Sequence, residues 1–176
     1  MLDISVSYNR YKFLGCEFLT WLWFVMENQP DELKQADPEL SSLELGNRIV
    51  LENHSGELSE AITIKGDDAG LEEGRLALKK GAVVTEMNLL YKSGEYEWKF
   101  SLKGESLAFS SLKTPDTGKV ETKDDLEGAI LEKIFLREKA IGMTDRLFQQ
   151  FIRLRISEDW DKMVNSSIRE WIHSED

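Results

Sequence analysis

Glu97-Trp98-Lys99 is the stretch of this 176-residue chain that comes nearest to a catalytic signature. An acid, a spacer and a lysine on one strand is the element with which metal-dependent nucleases hold a divalent cation beside a phosphate. The same spacing recurs at Glu32 with Lys34 and at Glu121 with Lys123, as expected where 31% of residues are charged. Glu97 and Lys99 also alternate with Tyr96, Trp98 and Phe100, which makes them the wet side of a half-buried strand. Asp67, Asp68, Glu72 and Glu73 could add carboxylates, but they sit where a predicted helix begins, and a helix N-terminus attracts acids without catalysis.

Other chemistry has less to work with. The chain has no P-loop, no His-Glu-x-x-His, no paired Cys-x-x-Cys and no Gly-x-Ser-x-Gly elbow. His54 and His173 are the only histidines and Cys16 the only cysteine. No metal site, cofactor or catalytic residue is expected. Gly66, Gly70 and Gly74 are spaced by four, but four acids among them exclude a membrane helix pair, and no βαβ unit makes them a dinucleotide loop.

Two sets of cations could meet phosphates. Lys65, Arg75, Lys79, Lys80, Lys99 and Lys103 surround the predicted sheet and its helix, while Arg146, Arg153 and Arg155 lie on a long helix. Phosphate binding needs such side chains to converge on one groove. The bland reading of each set is an exposed face with interspersed acids. The sheet set is the better candidate because of where the charge lies. The formal net charge is −11, yet residues 1–60 carry 4 basic and 11 acidic groups, 61–113 carry 8 and 8, and 114–176 carry 10 and 14. Acidic flanks disfavour a protein that coats nucleic acid with its whole surface, not one with a local basic face.

The elements that must position these groups follow from periodicity. "FLGCEFLTWLWF" (13–24) is apolar all round, too short for a bilayer and interrupted by Glu17 and Thr20, so it reads as a central helix within 10–27. Trp21 and Trp23 fall on opposite sides of it, so that one of them could reach a partner and form a dimer seam. Trp98, Trp160 and Trp171 occupy in-facing positions and read as core. The acid-rich stretch 27–46, with Pro30 and Pro38, reads as a loop.

"NRIVLE" (47–52) and "EAITIKG" (60–66) read as strands joined across His54 to Gly56. A helix follows, with Asp67 or Asp68 as N-cap and Gly81 as its stop. The segment 82–105 reads as a hairpin turning at Ser93-Gly94, with Val83, Met87, Leu89 and Tyr91 sharing one face. A third strand within 107–113 ends before Pro115. From Lys123 apolar residues recur every four, at Leu126, Ile130 and Ile134 and again at Leu147, Phe151 and Leu154, with Gly142 as a break or bend. Ser157 resembles an N-cap for a last helix whose stripe includes Trp160, Met163, Ile168 and Trp171.

The expected architecture is therefore one α+β domain over residues 1–176, with a helix at 10–27, a β-rich part at 46–113 and a helical part at 123–173. An antiparallel sheet of about five strands is covered by the apolar N-terminal helix and the C-terminal helices. The lone Cys16 and the absence of a basic leader fit a cytoplasmic protein with no membrane contact.

"FLGCEFLTWLWF", "NRIVLE", "ITIKGDD", "GRLALKKGAVVTEMNL" and "EWKFSLKGESLAFSSLKTP" together resemble part of the longer bacterial members of the recombination-associated RdgC family. The resemblance runs from about Phe13 to Trp160, and none of these stretches is a catalytic motif. It implies a non-enzymatic, nucleoid-associated protein of DNA recombination that binds DNA without sequence preference, touches recombination proteins and forms homodimers. The chain is about half as long as a usual member and strongly acidic, and no functional residue carries over position by position. The alternatives are an acidic interaction module or a phage- or plasmid-type accessory that binds a basic protein, and a metal-dependent nuclease.

Overall fold

A computed structural model describes residues 11–55, 58–65 and 68–174. Its elements in chain order are α1 (Phe13–Asn28), α2 (Pro30–Ala36), β1 (Ser42–Ser55), β2 (Leu58–Lys65), α3 (Asp68–Lys79), β3 (Val83–Ser93), β4 (Tyr96–Lys103), β5 (Phe109–Lys113), α4 (Lys123–Arg155) and α5 (Asn165–His173), with a π-helical turn at Trp160–Val164 between the last two. The strands form one antiparallel sheet in the order β2-β1-β3-β4-β5. The architecture is α+β, as expected.

Helix α1 is the centre of the core. Phe18, Leu19, Trp21, Leu22, Trp23 and Val25 are each at most 1% exposed, so the helix is enclosed around most of its circumference, with the stripe of Phe13, Cys16, Glu17 and Thr20 partly open. One side lies on the sheet. Another meets α4, where Phe18 and Trp21 stack around Phe151 with centroids 5.6 and 5.7 Å apart. A third meets α5, where Trp23 and Phe24 face Trp171. Burying each such side chain contributes about 1.5–3 kcal/mol. Access to the sheet depends on Gly15, where a Cβ would stand 1.7 Å from the Gly104 carbonyl oxygen. Trp21 and Trp23, expected as interface residues, therefore have no surface left for a partner: apolar neighbours occupy both sides of the helix.

Several local expectations need correction. The stretch after α1 is not a loop. Pro30 takes the first helical position with Asp31 and Glu32 in the first turn, a standard helix start, and β1 already begins at Ser42. Val83 is 39% exposed and does not share a face with Met87. An irregularity in the β1–β3 register, where Val50 pairs Glu86 and Leu51 pairs Val84, turns Val84 inward in its place. The hairpin loop is Gly94-Glu95, with Ser93 still paired to Tyr96.

Helix α4 runs unbroken through Gly142, because the packing of Ala140, Met143, Thr144 and Leu147 outweighs the roughly 1 kcal/mol that a helical glycine costs. Ser157 caps nothing: its hydroxyl donates to the Leu154 carbonyl. The π turn after it inserts an extra residue, which leaves Met163 59% exposed while Ile168 and Trp171 stay buried. The helix start at Asp67 and the turn at Gly56 lie outside the described residues. Gly81 ends α3 as expected, at φ +89°, with the Ala82 amide bonded to the Ala77 carbonyl and that of Gly81 to Leu78. No helix among the described residues is long and apolar enough to cross a membrane.

Candidate nucleic-acid interface

Strand alternation splits the sheet into two unlike faces. The inner face carries Ile49, Leu51, Met87, Leu89, Tyr91, Trp98, Phe100 and Leu102, all nearly inaccessible, with α1, α3 and α4 packed against it. The outer face carries the alternate, largely polar residues; toward the ends of β1, β3 and β4 it borders a depression that Arg48, Val50, Glu86 and Lys103 share with Cys16 and Thr20 of α1 and Ile168 of α5. It presents Arg48 on β1, Lys65 on β2, Lys92 on β3, Lys99 and Lys103 on β4, and Lys113 on β5, against Glu44, Glu52, Glu86 and Glu97. In a chain of net charge −11, this face has the opposite balance.

Register places these charges in rows. Lys65 lies directly opposite Arg48, and Lys103 opposite Glu86; Arg48 Nη1 bonds Glu86 Oε1 at 2.9 Å on the neighbouring strand. One line of charge therefore crosses from β2 to β4. Lys99 stands opposite Lys113 at the β5 edge, and its Nζ lies 3.1 Å from Glu97 on its own strand. Lys65, Lys103 and Lys113 are exposed and make no ion pair among the described residues. Strands about 4.8 Å apart put the rows at spacings a phosphate backbone can meet. Asn88 completes the surface: its Nδ2 donates to the Phe100 carbonyl and the Ser101 hydroxyl, both at 3.2 Å, over Gly46, where a Cβ would clash with Asn88 Oδ1.

The expected cation set is thus divided by the sheet. Lys65, Lys99 and Lys103 share the open face. Arg75, Lys79 and Lys80 belong to α3 and its end, which lies on the inner side with Gly74 against Trp23. Arg75 and Lys79 reach Ser174 after α5. Arg48, Lys92 and Lys113 were missed, although strand alternation carried the signal for each. Two of the second set are structural, while Arg153 is exposed and makes no ion pair among the described residues. Arg146 binds the buried carboxylate of Asp37 at 2.8 Å, and Arg155 binds Glu17 at 2.8 Å while lying 5.0 Å over the ring of Trp160.

The remaining chemistry is sparse. Glu97 and Lys99 pair with each other on the open face, and no group of three His, Cys, Asp or Glu side chains among the described residues could hold a metal. The depression beside the charge row, about 770 Å³ in volume, is lined by Arg48, Glu86 and Lys103 together with Cys16 and Thr20 of α1 and Ile168 of α5. Burial, reinforced by the carboxylates of Glu52 and Glu105, pushes the Cys16 thiol up. A nucleophilic cysteine needs the opposite shift. Aromatic rings are absent from the described part of the open face, so it can meet phosphates but offers bases no stacking platform.

Compared with protein-family models, curated proteins and solved structures, the chain matches none.

Proposed function

We propose that the open face of the sheet contacts the phosphate backbone of DNA without sequence preference, and that the protein serves DNA recombination or a related part of DNA metabolism without catalysing a reaction. One observation carries this reading: on the outer side of the sheet of an acidic protein Lys65, Lys99, Lys103 and Lys113 are exposed, with Arg48 and Lys92 half-buried beside them, and Lys65, Lys103 and Lys113 have no ion-pair partner among the described residues. It agrees with what the resemblance to the RdgC family implies. Lysines spread over a twisted sheet act as point charges and carry no base-edge readout, and the absence of stacking groups favours duplex over single strand.

The test is fluorescence anisotropy of labelled duplex and single-stranded DNA at several salt concentrations, with and without magnesium. Three or four phosphate contacts predict a slope of log K against log salt of about −3, with the DNA left intact. Reversing Lys99, Lys103 and Lys113 together to Glu should weaken binding at least tenfold. Reversing Lys79 and Lys80 on the far side of the sheet should leave it within about twofold. Flat titrations at low salt, or equal loss from both variants, would refute the assignment, and binding to a basic protein in their place would favour the interaction-module reading.

A further inference from the structure

Helix α4 leaves the body of the protein at its N-terminal end. No residue from Lys123 to Phe135 is buried, and burial starts at Leu136. Leu126 is nevertheless 48% exposed, Ile130 50%, Leu131 67% and Ile134 48%, and one turn into the body Ile141 is 51% exposed. Leu126, Ile130 and Ile134 are the four-residue repeat that the sequence presents as an amphipathic stripe, and the structure leaves them half-exposed. They flank the core stripe and do not coincide with it: at 100° per residue Ile130, Ile134 and Ile141 lie roughly 130° round the helix from Leu136, Ala140 and Met143, with Leu126 between the two. An isolated helix this short is marginal in water. The Thr122–Asp125 capping box holds its first turn, but nothing among the described residues holds the stripe.

We propose that this face is the seam of an antiparallel pairing with α4 of a second copy of the chain, about a two-fold axis passing near Glu132. In a heptad frame, Glu127, Ile134 and Ile141 occupy one core position and Lys123, Ile130 and Arg137 the other. Setting two such helices antiparallel around residue 132 puts Ile130 of each copy against Ile134 of the other. One layer outward, Glu127 of each meets Arg137 of the other. At the ends the aliphatic stem of Lys123 lies over Ile141 of the second copy, and Leu131 meets its own mate beside the axis.

The charges choose the occupant and the direction. Glu127 and Arg137 have no ion-pair partner among the described residues, and each stands three residues outside the isoleucine pair. A parallel arrangement would press Glu127 against Glu127 and Arg137 against Arg137. The antiparallel one is self-complementary, which is what a two-fold interface requires. The five half-exposed aliphatic side chains offer on the order of 500 Å² per copy, as much as the largest apolar patch of a typical monomer. Two copies with their polar rim reach roughly 1,000 Å², where specific association begins. Because burial on α4 starts only at Leu136, the segment 123–135 of each copy projects from its own body and is free to lie along the other.

The experiment is sedimentation velocity on the intact chain up to about 100 µM, ample for an interface of this size. A dimer of twice 20.2 kDa is expected. Ile130→Lys with Ile134→Lys should give a folded monomer, checked by circular dichroism, since neither side chain belongs to the core. Glu127→Arg alone and Arg137→Glu alone should each weaken the dimer at least tenfold, and the two together should restore it. A wild-type protein that stays monomeric, a dimer that survives the double lysine change, or a charge swap that fails to restore association would each overturn the proposal.

Discussion

Glu27 at the end of α1 ties two indoles with one carboxylate. Its Oε1 accepts from Trp23 Nε1 at 2.6 Å and its Oε2 from Trp171 Nε1 at 2.8 Å. Trp23 is fully buried and Trp171 is 6% exposed, and their rings meet edge to face 5.3 Å apart. Removing the carboxylate by Glu27→Ala orphans two buried donors at the joint between the first helix and the last. A hydrogen bond to a charged group contributes about 1.5–3 kcal/mol. Because the Glu27 side chain itself reaches solvent, water can partly replace it, so the lower end applies and the pair should cost about 2–3 kcal/mol.

With a urea slope of about 2–3 kcal/mol/M for a chain of this length, the midpoint should fall by roughly 1 M. Equilibrium urea unfolding followed by tryptophan emission measures it. Glu27→Gln should fall between, because its amide can accept from one indole but turns a donor toward the other. A double cycle with Trp171→Phe should return a coupling of about 1 kcal/mol. If Glu27→Ala shifts stability by less than about 0.5 kcal/mol, the carboxylate is not the clamp between α1 and α5.

Arg146→Ala should lower stability by about 2 kcal/mol, because it strands the Asp37 carboxylate, 2% exposed and also accepting the Glu39 amide at 3.1 Å; thermal melts that match wild type would contradict this. Tyr91→Phe should be neutral or stabilising by up to about 1 kcal/mol, since the Tyr91 hydroxyl is buried without a hydrogen-bond partner among the described residues. Burial, helped by the Asp37 carboxylate, raises the Tyr91 phenol above its ordinary value. Below its ordinary value the phenol is protonated in both folded and unfolded chains and costs no pH-dependent stability; as pH rises from there through the raised value, the folded state resists ionisation and stability falls. The Phe variant should show a shallower alkaline loss of stability than wild type in melts from pH 9 to 12, and parallel profiles would argue against this assignment.

Much of the architecture was legible because it rests on local periodicity. The near-continuous apolarity of residues 13–24, broken only by Glu17 and Thr20, foretold a central helix packed on more than one side, and the alternation from Tyr96 to Lys103 foretold a strand with one wet face. Gly81 foretold the stop of α3. The start of α2 was equally local, with Pro30 before Asp31 and Glu32, but the acids and prolines around it resemble a loop more than a seven-residue helix. Val83 could not be placed by spacing, because the irregular pairing opposite Val50 and Leu51 belongs to the contact between two strands. The break expected at Gly142 and the cap expected at Ser157 failed for the same kind of reason: packing of the surrounding helix and a π turn outweigh the preference of one residue.

Composition and periodicity alone thus determined the class of fold, the buried helix and the neutrality of the middle segment. Which side of each element finds a partner was decided only by tertiary structure. Lys79 and Lys103 lie in the same neutral segment, yet the sheet separates them, because α3 folds back over the inner face while β4 turns Lys103 outward. Trp21 and Leu126 both belong to apolar stripes, but α4 and the sheet close over the tryptophan and nothing described covers the leucine. A period records that a helix has an apolar side. The cover for that side comes from residues distant in the chain, or from a second molecule, and local spacing carries no information about either.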